Sequence, residues 1–336
     1  MKIVVLAGGV GGSRFLTGMR AQLREAQPDA ELTAIVNTGD DLWLAGLRIT
    51  PDLDTIMYAL AGINDARRGW GRLGDTERVS GELREWGIGW PWFTLGDLDA
   101  SASIARTAWL RDGAPLHEVV ERLQARWPQV GVRLLPATDD EVETHVVVDD
   151  PDRPGTRLEM HFQEWWTRYR ASLPALAFPQ RGIESAVAAP GVREAIAAAD
   201  AVVLAPSNPV VSIGTILNIP GVRDAVRSTP APVIGVSPII GGAVVRGMAD
   251  ACLTAIGVET DAAAVARHYA SRAAGGLLDG WLVDSVDAGS VKGLALDRID
   301  TRAVPLWMTD ESLSAAIAGE VLDLADAIRR GASASR

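Results

Sequence analysis

Four aspartates lie close together early in this chain, in Asn37-Thr38-Gly39-Asp40-Asp41 and Pro51-Asp52-Leu53-Asp54-Thr55. Carboxylates so near one another repel unless something positive neutralises them. An oxygen-rich site beside phosphate suits Mg2+, which often uses only one or two protein carboxylates and keeps its waters. Asp54 is the first choice as metal ligand, with Asp40 or Asp41 contributing through water. The plainer alternative makes Asp40 and Asp52 caps, with Thr55 competing at the second segment, and turns Asp41 to solvent.

A second feature precedes the acids. Gly8-Gly9-Val10-Gly11-Gly12 joins an apolar run, Lys2 to Ala7, to a segment opening at Ser13 with Phe15, Leu16, Met19 and Leu23 at helical spacing. Small residues between a strand and a helix let the backbone curl and aim its amides at an anion, and the helix dipole adds positive potential there. Gly9, Gly11 and Gly12 would supply the loop, and Ser13 and Arg14 could donate to phosphoryl oxygens. Gly9-Val10-Gly11 matches the first half of a dinucleotide fingerprint, but Arg14 stands where the third glycine belongs. No lysine follows, as a phosphate-loop NTPase would need. A tight turn without ligand is the alternative.

The elements that must position these groups read as α/β. Leu32 to Val36 is a second strand, ending at the acidic segment, and strand–helix–strand implies a parallel sheet with right-handed crossovers. Ala201 to Ala205 and Pro232 to Val236 resume the pattern, and a late strand is expected over Val304 to Trp307, before a terminal helix through Leu322. The middle reads as mostly helical from about Asp52 to Arg126, with strands near Val132 to Leu135 and Thr144 to Val148. The expectation is a Rossmann-like, mostly parallel sheet flanked by helices, with an inserted mixed or helical lobe. Residues 1–60 and 176–330 would make the core, 61–175 largely the lobe, and 331–336 a frayed tail.

The 336 residues carry a formal net charge of -11, which argues against a long nucleic acid as partner. The one cysteine, Cys252, excludes an internal disulfide and any cysteine metal cluster within one chain, and helical neighbours suggest a buried thiol. No apolar run reaches membrane-spanning length and no targeting segment is evident, so the expectation is a cytoplasmic protein with no membrane partner. His145 reads as a structural hydrogen-bonder in a strand, and His117, His161 and His268 lack metal-ligand spacing. Trp70, Trp86, Trp90 and Trp92 could wall a flat heterocycle or simply pack. Arg67 and Arg68 could meet an acidic substrate or face water. Ser237 is not in a nucleophile elbow, because Pro238 and Ile239 follow it.

Five segments in order resemble the 2-phospho-L-lactate transferase family. They are Gly8 to Leu16, Asn37 to Asp41, Pro51 to Thr55, Ser207-Asn208-Pro209 with Ser212-Ile213-Gly214, and Gly235 to Gly242. The likeness runs from residue 1 to beyond Gly293, and its loop looks most like the bacterial phosphoenolpyruvate transferase branch. The resemblance implies Mg2+-dependent transfer of a phosphorylated three-carbon acid from a guanosine diphosphate conjugate to the ribityl hydroxyl of the deazaflavin Fo. GMP is released, and coenzyme F420 is the eventual product. It further implies a homodimer, Asp54 as metal and acceptor-side acid, Ser207 and Asn208 beside the donor, and Asn37 and Asp97 in the same cleft.

The donor acid is expected to be enolpyruvyl, with phospholactate and phosphoglycerate conjugates as alternatives. A ligand-binding regulatory protein and an NAD-type oxidoreductase are the rival classes. One departure stands out. Relatives carry Gly-Asp-Arg-Asp and then Ala-Thr-His, where this chain has Leu98 in place of the arginine and Ser103 in place of the histidine, so altered acceptor contacts are expected.

Overall fold

The computed structural model describes residues 1–334. Strands β1 (Lys2–Ala7) and β2 (Glu31–Val36) pair in parallel. Ile3 and Val5 enter one apolar core while Val4 and Leu6 enter another on the opposite face. A strand covered by helices on both faces needs such an unbroken apolar run. Five more strands join the sheet: β3 (Arg133–Pro136), β4 (Ala201–Leu204), β5 (Val233–Val236), β6 (Gly280–Val283) and β7 (Asp300–Ala303).

The spatial order is β7-β6-β5-β4-β1-β2-β3, and every neighbouring pair is parallel. The sheet is therefore doubly wound, with its order reversing between β1 and β4. Ligands of such sheets bind beyond the carboxyl ends of the strands at that reversal.

Helix α1 (Gly9–Ala26) begins at Gly9 and not near Ser13, so the glycines form its first turn instead of a free loop. It packs against α2 (Pro51–Ala61) and the terminal α4 (Glu311–Ala334). At the second contact, a Cβ on Gly18 would lie 2.2 Å from the Ser314 carbonyl carbon, so the two backbones meet directly.

A second sheet is antiparallel, with Glu143–Asp149 at its centre and Arg157–His161, Ala175–Ala177 and Gln180–Arg181 beside it. It runs on past residue 175 to Arg181, and has its own small core around Val146, Val148, Phe162 and Trp165. Helix α3 (Asp97–Arg111) stands beside it in sequence, preceded by a short helix over Arg78–Glu85.

Two expectations near the C-terminus are corrected. The late strand ends at Ala303; past it, the Leu306 amide donates to the Asp284 carboxylate instead of a neighbouring strand (2.8 Å). The terminal helix does not stop at Leu322 but runs to Ala334, and apolar residues at helical spacing continue past Leu322 through Leu324, Ala325 and Ile328. Of the expected tail, residues 335–336 lie outside the described residues. No helix among the described residues is long and apolar enough to cross a membrane. Cys252 is buried and free, its thiol pushed up to about 12 by burial.

Candidate active site

A cleft of about 1010 Å3 opens at the strand-order reversal. Gly8 to Gly11 line it after β1, Pro206 to Asn208 after β4, Ser237 and Pro238 after β5, and Leu306 to Thr309 after β7. The segment expected to be a late strand thus serves as cleft wall.

The glycine turn is shaped by close packing. A Cβ on Gly11 would lie 2.3 Å from the Pro206 carbonyl oxygen, and one on Gly8 would lie 2.5 Å from Asp52 Oδ2. The Ser207 hydroxyl accepts from the Gly8 amide (3.0 Å) and donates to the Gly8 carbonyl (2.8 Å), pinning the ends of β1 and β4 together. Its only proton is therefore committed inside the protein, although Ser207 lines the cleft. First-turn amides of a helix lack intrahelical partners, but the Gly9 amide bonds the Asp52 carboxylate. Gly12 and Ser13 lie outside the cleft lining, and Ser13 donates back to the Val10 carbonyl (2.9 Å). Gly9, Gly11 and Arg14 do face the cleft.

The acids behave as one network. Asn37, wholly buried, donates through Nδ2 to Asp40 Oδ1 (3.0 Å) and to Asp52 Oδ2 (2.9 Å), and accepts from the Gly39 amide (3.0 Å). It positions both carboxylates without lining the cleft itself. Gln163, from the short helix Phe162–Thr167, donates to Asp40 Oδ2 (3.2 Å).

Asp41 is wholly buried 3.6 Å from Arg48, and Asp54 is ion-paired with the buried Arg106. The alternative of caps and a solvent-facing Asp41 therefore fails. Helix α2 starts after Thr50 with Pro51 in its first turn and has no side-chain cap.

Burial is the main cause of the acids' raised proton affinity. It pushes Asp41 up to about 8 despite Arg48 and Arg106, and Asp52 up to about 6 despite Asn37 and the Gly9 amide. Asp40 stands well above the usual carboxylate range through burial and then the Asp52 charge. Burial also raises Asp54, with Arg106 opposing. Among the described residues, Asp40, Asp41, Asp52, Asp54 and Asp99 face two deeply buried cations, Arg48 and Arg106.

That surplus of negative charge on oxygen donors fits a hard divalent cation. Among the described residues no three acidic, histidine or cysteine side chains form a ready cage, so water and ligand oxygens would complete its shell.

Asp97 is not in the cleft. It accepts from Thr76 Oγ1 and from the Val79 amide (3.0 Å), which holds the start of the Arg78–Glu85 helix. The acid that faces the cleft is Asp99, two residues further along α3. The departures at 98 and 103 also lie off the cleft lining: Leu98 is exposed, and Ser103 is buried against Arg106 (3.4 Å).

Of the tryptophans, Trp70 and Trp92 line the cleft, Trp90 stacks behind Trp92 (4.6 Å between centroids), and Trp86 points to solvent. Phe93, Phe162, Trp166 and Trp307 complete the apolar wall.

Arginines form the rim. Arg14, Arg68, Arg170 and Arg246 all line the cleft, whereas Arg67 does not. Arg246 donates to the Arg68 carbonyl (2.6 Å), bridging two distant segments over the opening. Asn208 lines the cleft, its Oδ1 accepting from the Val210 and Val211 amides (2.9 and 3.2 Å). His145 bonds Glu159 (3.1 Å) and lies 3.4 Å from Glu143, a structural arrangement outside the cleft.

The model of the family described as "2-phospho-L-lactate transferase CofD" matches residues 3–305. The chain belongs to this transferase family. It is 55% identical to a Nocardia farcinica protein named phosphoenolpyruvate transferase, over 96% of this chain and 95% of that protein. Proteins of the same name from Streptomyces griseus and Mycolicibacterium smegmatis are 55% and 52% identical, covering 98% and 97% of this chain and 100% and 99% of theirs. The crystal structure of protein BH3568 from Bacillus halodurans shares the fold, with a TM-score of 0.58 at 16% identity over 96% of this chain and 99% of that one. The protein is thus an enzyme, a transferase whose cleft combines an acidic floor, an arginine rim and an aromatic wall.

Proposed function

We propose that this transferase moves the phosphoenolpyruvyl group of enolpyruvyl-diphospho-5'-guanosine onto the ribityl hydroxyl of Fo, giving dehydro coenzyme F420-0 and GMP. The charge pattern of the cleft carries this reading. Carboxylates on the floor and arginines at the rim suit an anionic diphosphate bound with a cation, in a chain whose 52–55% identical relatives are named phosphoenolpyruvate transferase. Phosphoryl-type transfer needs alignment and charge neutralisation more than a protein nucleophile.

Asp54, with Asp52 and Asp40, would hold Mg2+, which when bound supplies charge neutralisation on the diphosphate and the departing GMP. Arg14, Arg68, Arg170 and Arg246 orient the donor's phosphoryl and carboxylate groups from the rim. Trp70 and Trp92, with Trp166 and Phe93, offer flat surfaces for the heterocycles and keep water from the reacting centre.

The NAD-type alternative loses ground at the glycine turn. The Asp52 carboxylate stands against the glycine turn, its Oδ2 2.5 Å from where a Gly8 Cβ would lie, and puts negative charge where a dinucleotide's pyrophosphate would sit.

The test supplies purified protein, Mg2+ and Fo with each guanosine conjugate in turn, following GMP and the mass of the deazaflavin. Enolpyruvyl product is expected in preference to the phospholactate or phosphoglycerate products. A clear preference for either of those would overturn the donor assignment, and GMP without modified Fo would overturn the acceptor.

A further inference from the structure

The reaction proposed above must remove a proton from the attacking hydroxyl, and the five aspartates of the network are not equally placed to accept it. Asp40 receives hydrogen bonds on both oxygens, from Asn37 and Gln163. Asp52 receives them from Asn37 and the Gly9 amide. Asp54 is committed to Arg106, and Asp41 lies off the cleft lining beside Arg48.

Asp99 differs from all four. It lines the cleft and is 8% exposed, with Oδ1 turned inward and buried and Oδ2 beside the cleft-lining Gly71.

Its placement is firm. Asp75 accepts from the Leu98 amide (2.8 Å) and from the Asp99 amide (3.2 Å), clamping the first turn of α3. A Cβ on Gly96 would lie 2.1 Å from Asp75 Oδ2, so the clamp requires glycine there. On the cleft side Gly71 comes close, since a Cβ there would lie 3.2 Å from Asp99 Oδ2, tighter than ordinary contact. Trp70, Trp92, Phe93 and Leu95 line the same cleft, an apolar wall suited to a flat acceptor.

We propose that Asp99 is the general base of the transfer, taking the acceptor hydroxyl's proton on Oδ2, the oxygen beside the cleft-lining Gly71; the assignment rests on the transferase reading above. The hydroxyl oxygen forms a bond to the phosphorus that carries the enolpyruvyl ester. The bond from that phosphorus to the bridging oxygen breaks, and its electron pair leaves with GMP. The proton passes to Asp99 and then to water after the product departs. Burial, then the Asp54 and Asp75 charges, lift Asp99 to about 7, with Tyr58 and Arg72 opposing, which leaves a base of suitable strength near neutral pH.

The experiment compares Asp99→Asn with wild type and with Asp97→Asn, whose side chain lies off the cleft. Removing a general base typically costs 10²–10⁴-fold, so Asp99→Asn should lose kcat by roughly 100- to 1000-fold. Donor affinity by calorimetry should stay within about twofold, because Asp99 acts on the acceptor side. Asp97→Asn should keep wild-type kcat, and formate should restore turnover to Asp99→Ala.

The assignment is overturned if Asp99→Asn keeps kcat within about threefold, the scale of an effect too small for base removal. It is overturned too if kcat falls only in step with donor affinity, or if formate fails to restore a folded Asp99→Ala. Wild-type protein inert toward every conjugate would refute the transferase reading itself, and the base assignment with it.

Discussion

Replacing Asp54 with asparagine probes the centre of the acidic network, and the structure changes what that variant should do. From sequence alone Asp54 is a metal ligand whose loss should abolish turnover and spare the fold. Its carboxylate is paired with Arg106, whose side chain is only 1% exposed, and Arg106 otherwise donates to the Arg48 carbonyl (3.0 Å) and to Ser103. Asparagine leaves that guanidinium buried without its counter-charge.

Breaking a buried pair from one side costs about 3–5 kcal/mol. The two remaining acceptors on Arg106 and the partial exposure of Asp54 place the expected loss near the lower end, at about 3 kcal/mol. Urea denaturation measures it as a lower midpoint at unchanged slope. Arg106→Met should also destabilise, and the double variant should lose less than the sum of the singles by about 1–3 kcal/mol. Additive losses, or an Asp54→Asn protein as stable as wild type, would refute the reasoning and return Asp54 to a purely ligand-facing role.

Two further outcomes follow from the same geometry. Gly11→Val should destabilise the fold by about 1–3 kcal/mol or more, because its Cβ meets the Pro206 carbonyl before any ligand; a variant of wild-type stability with only donor affinity reduced would restore the phosphate-loop reading. In the metal-free protein, the raised carboxyls give stability that is present at low pH and lost as pH rises from near 3.8 through about 6 for Asp52 and about 8 for Asp41. His161, lowered from 6.5 to about 4 mainly by burial, acts in the opposite sense, losing stability as pH falls across that interval. Thermal melts should therefore show Mg2+ stabilising more at pH 8 than at pH 5, and equal shifts at both would contradict it.

Much of the frame is legible in the sequence because a parallel strand buried on both faces must be apolar throughout. Lys2 to Ala7, Leu32 to Val36, Ala201 to Ala205 and Pro232 to Val236 all announce themselves in this way. Strand β6 does not, because Gly280 and Trp281 obscure the pattern: Gly280 is packed under Ile234 and Leu324, and Trp281 against Gly235.

The glycines were legible as a close approach but not as to what approaches. Composition cannot distinguish a phosphate from the Pro206 carbonyl or the Asp52 carboxylate. Asp97 and Asp99 lie two residues apart on one helix, and only the direction of α3 decides which one meets the cleft. The signal that could have separated them is helical phase, since a helix turns about 200° over two residues.

The rim shows most plainly what a linear reading cannot reach. Arg14, Arg68, Arg170 and Arg246 come from four separated segments, and only Arg68 has a basic neighbour, Arg67. Read in order they are scattered charges on a chain of net charge -11, a field that would repel a diphosphate. Folding brings them to one opening, through the turn after β1, the bridge from Arg246 to Arg68, and the short helix region that also sends Gln163 to Asp40. The acids below them are held apart from these arginines: Asp40 and Asp52 are bonded by the neutral Asn37, and Asp41 and Asp54 by Arg48 and Arg106. Had the rim arginines paired with the floor acids, both charges would be spent internally. Because they do not, the cleft can attract an anion at its mouth and a cation at its base, and an anion carrying its own cation satisfies both at once.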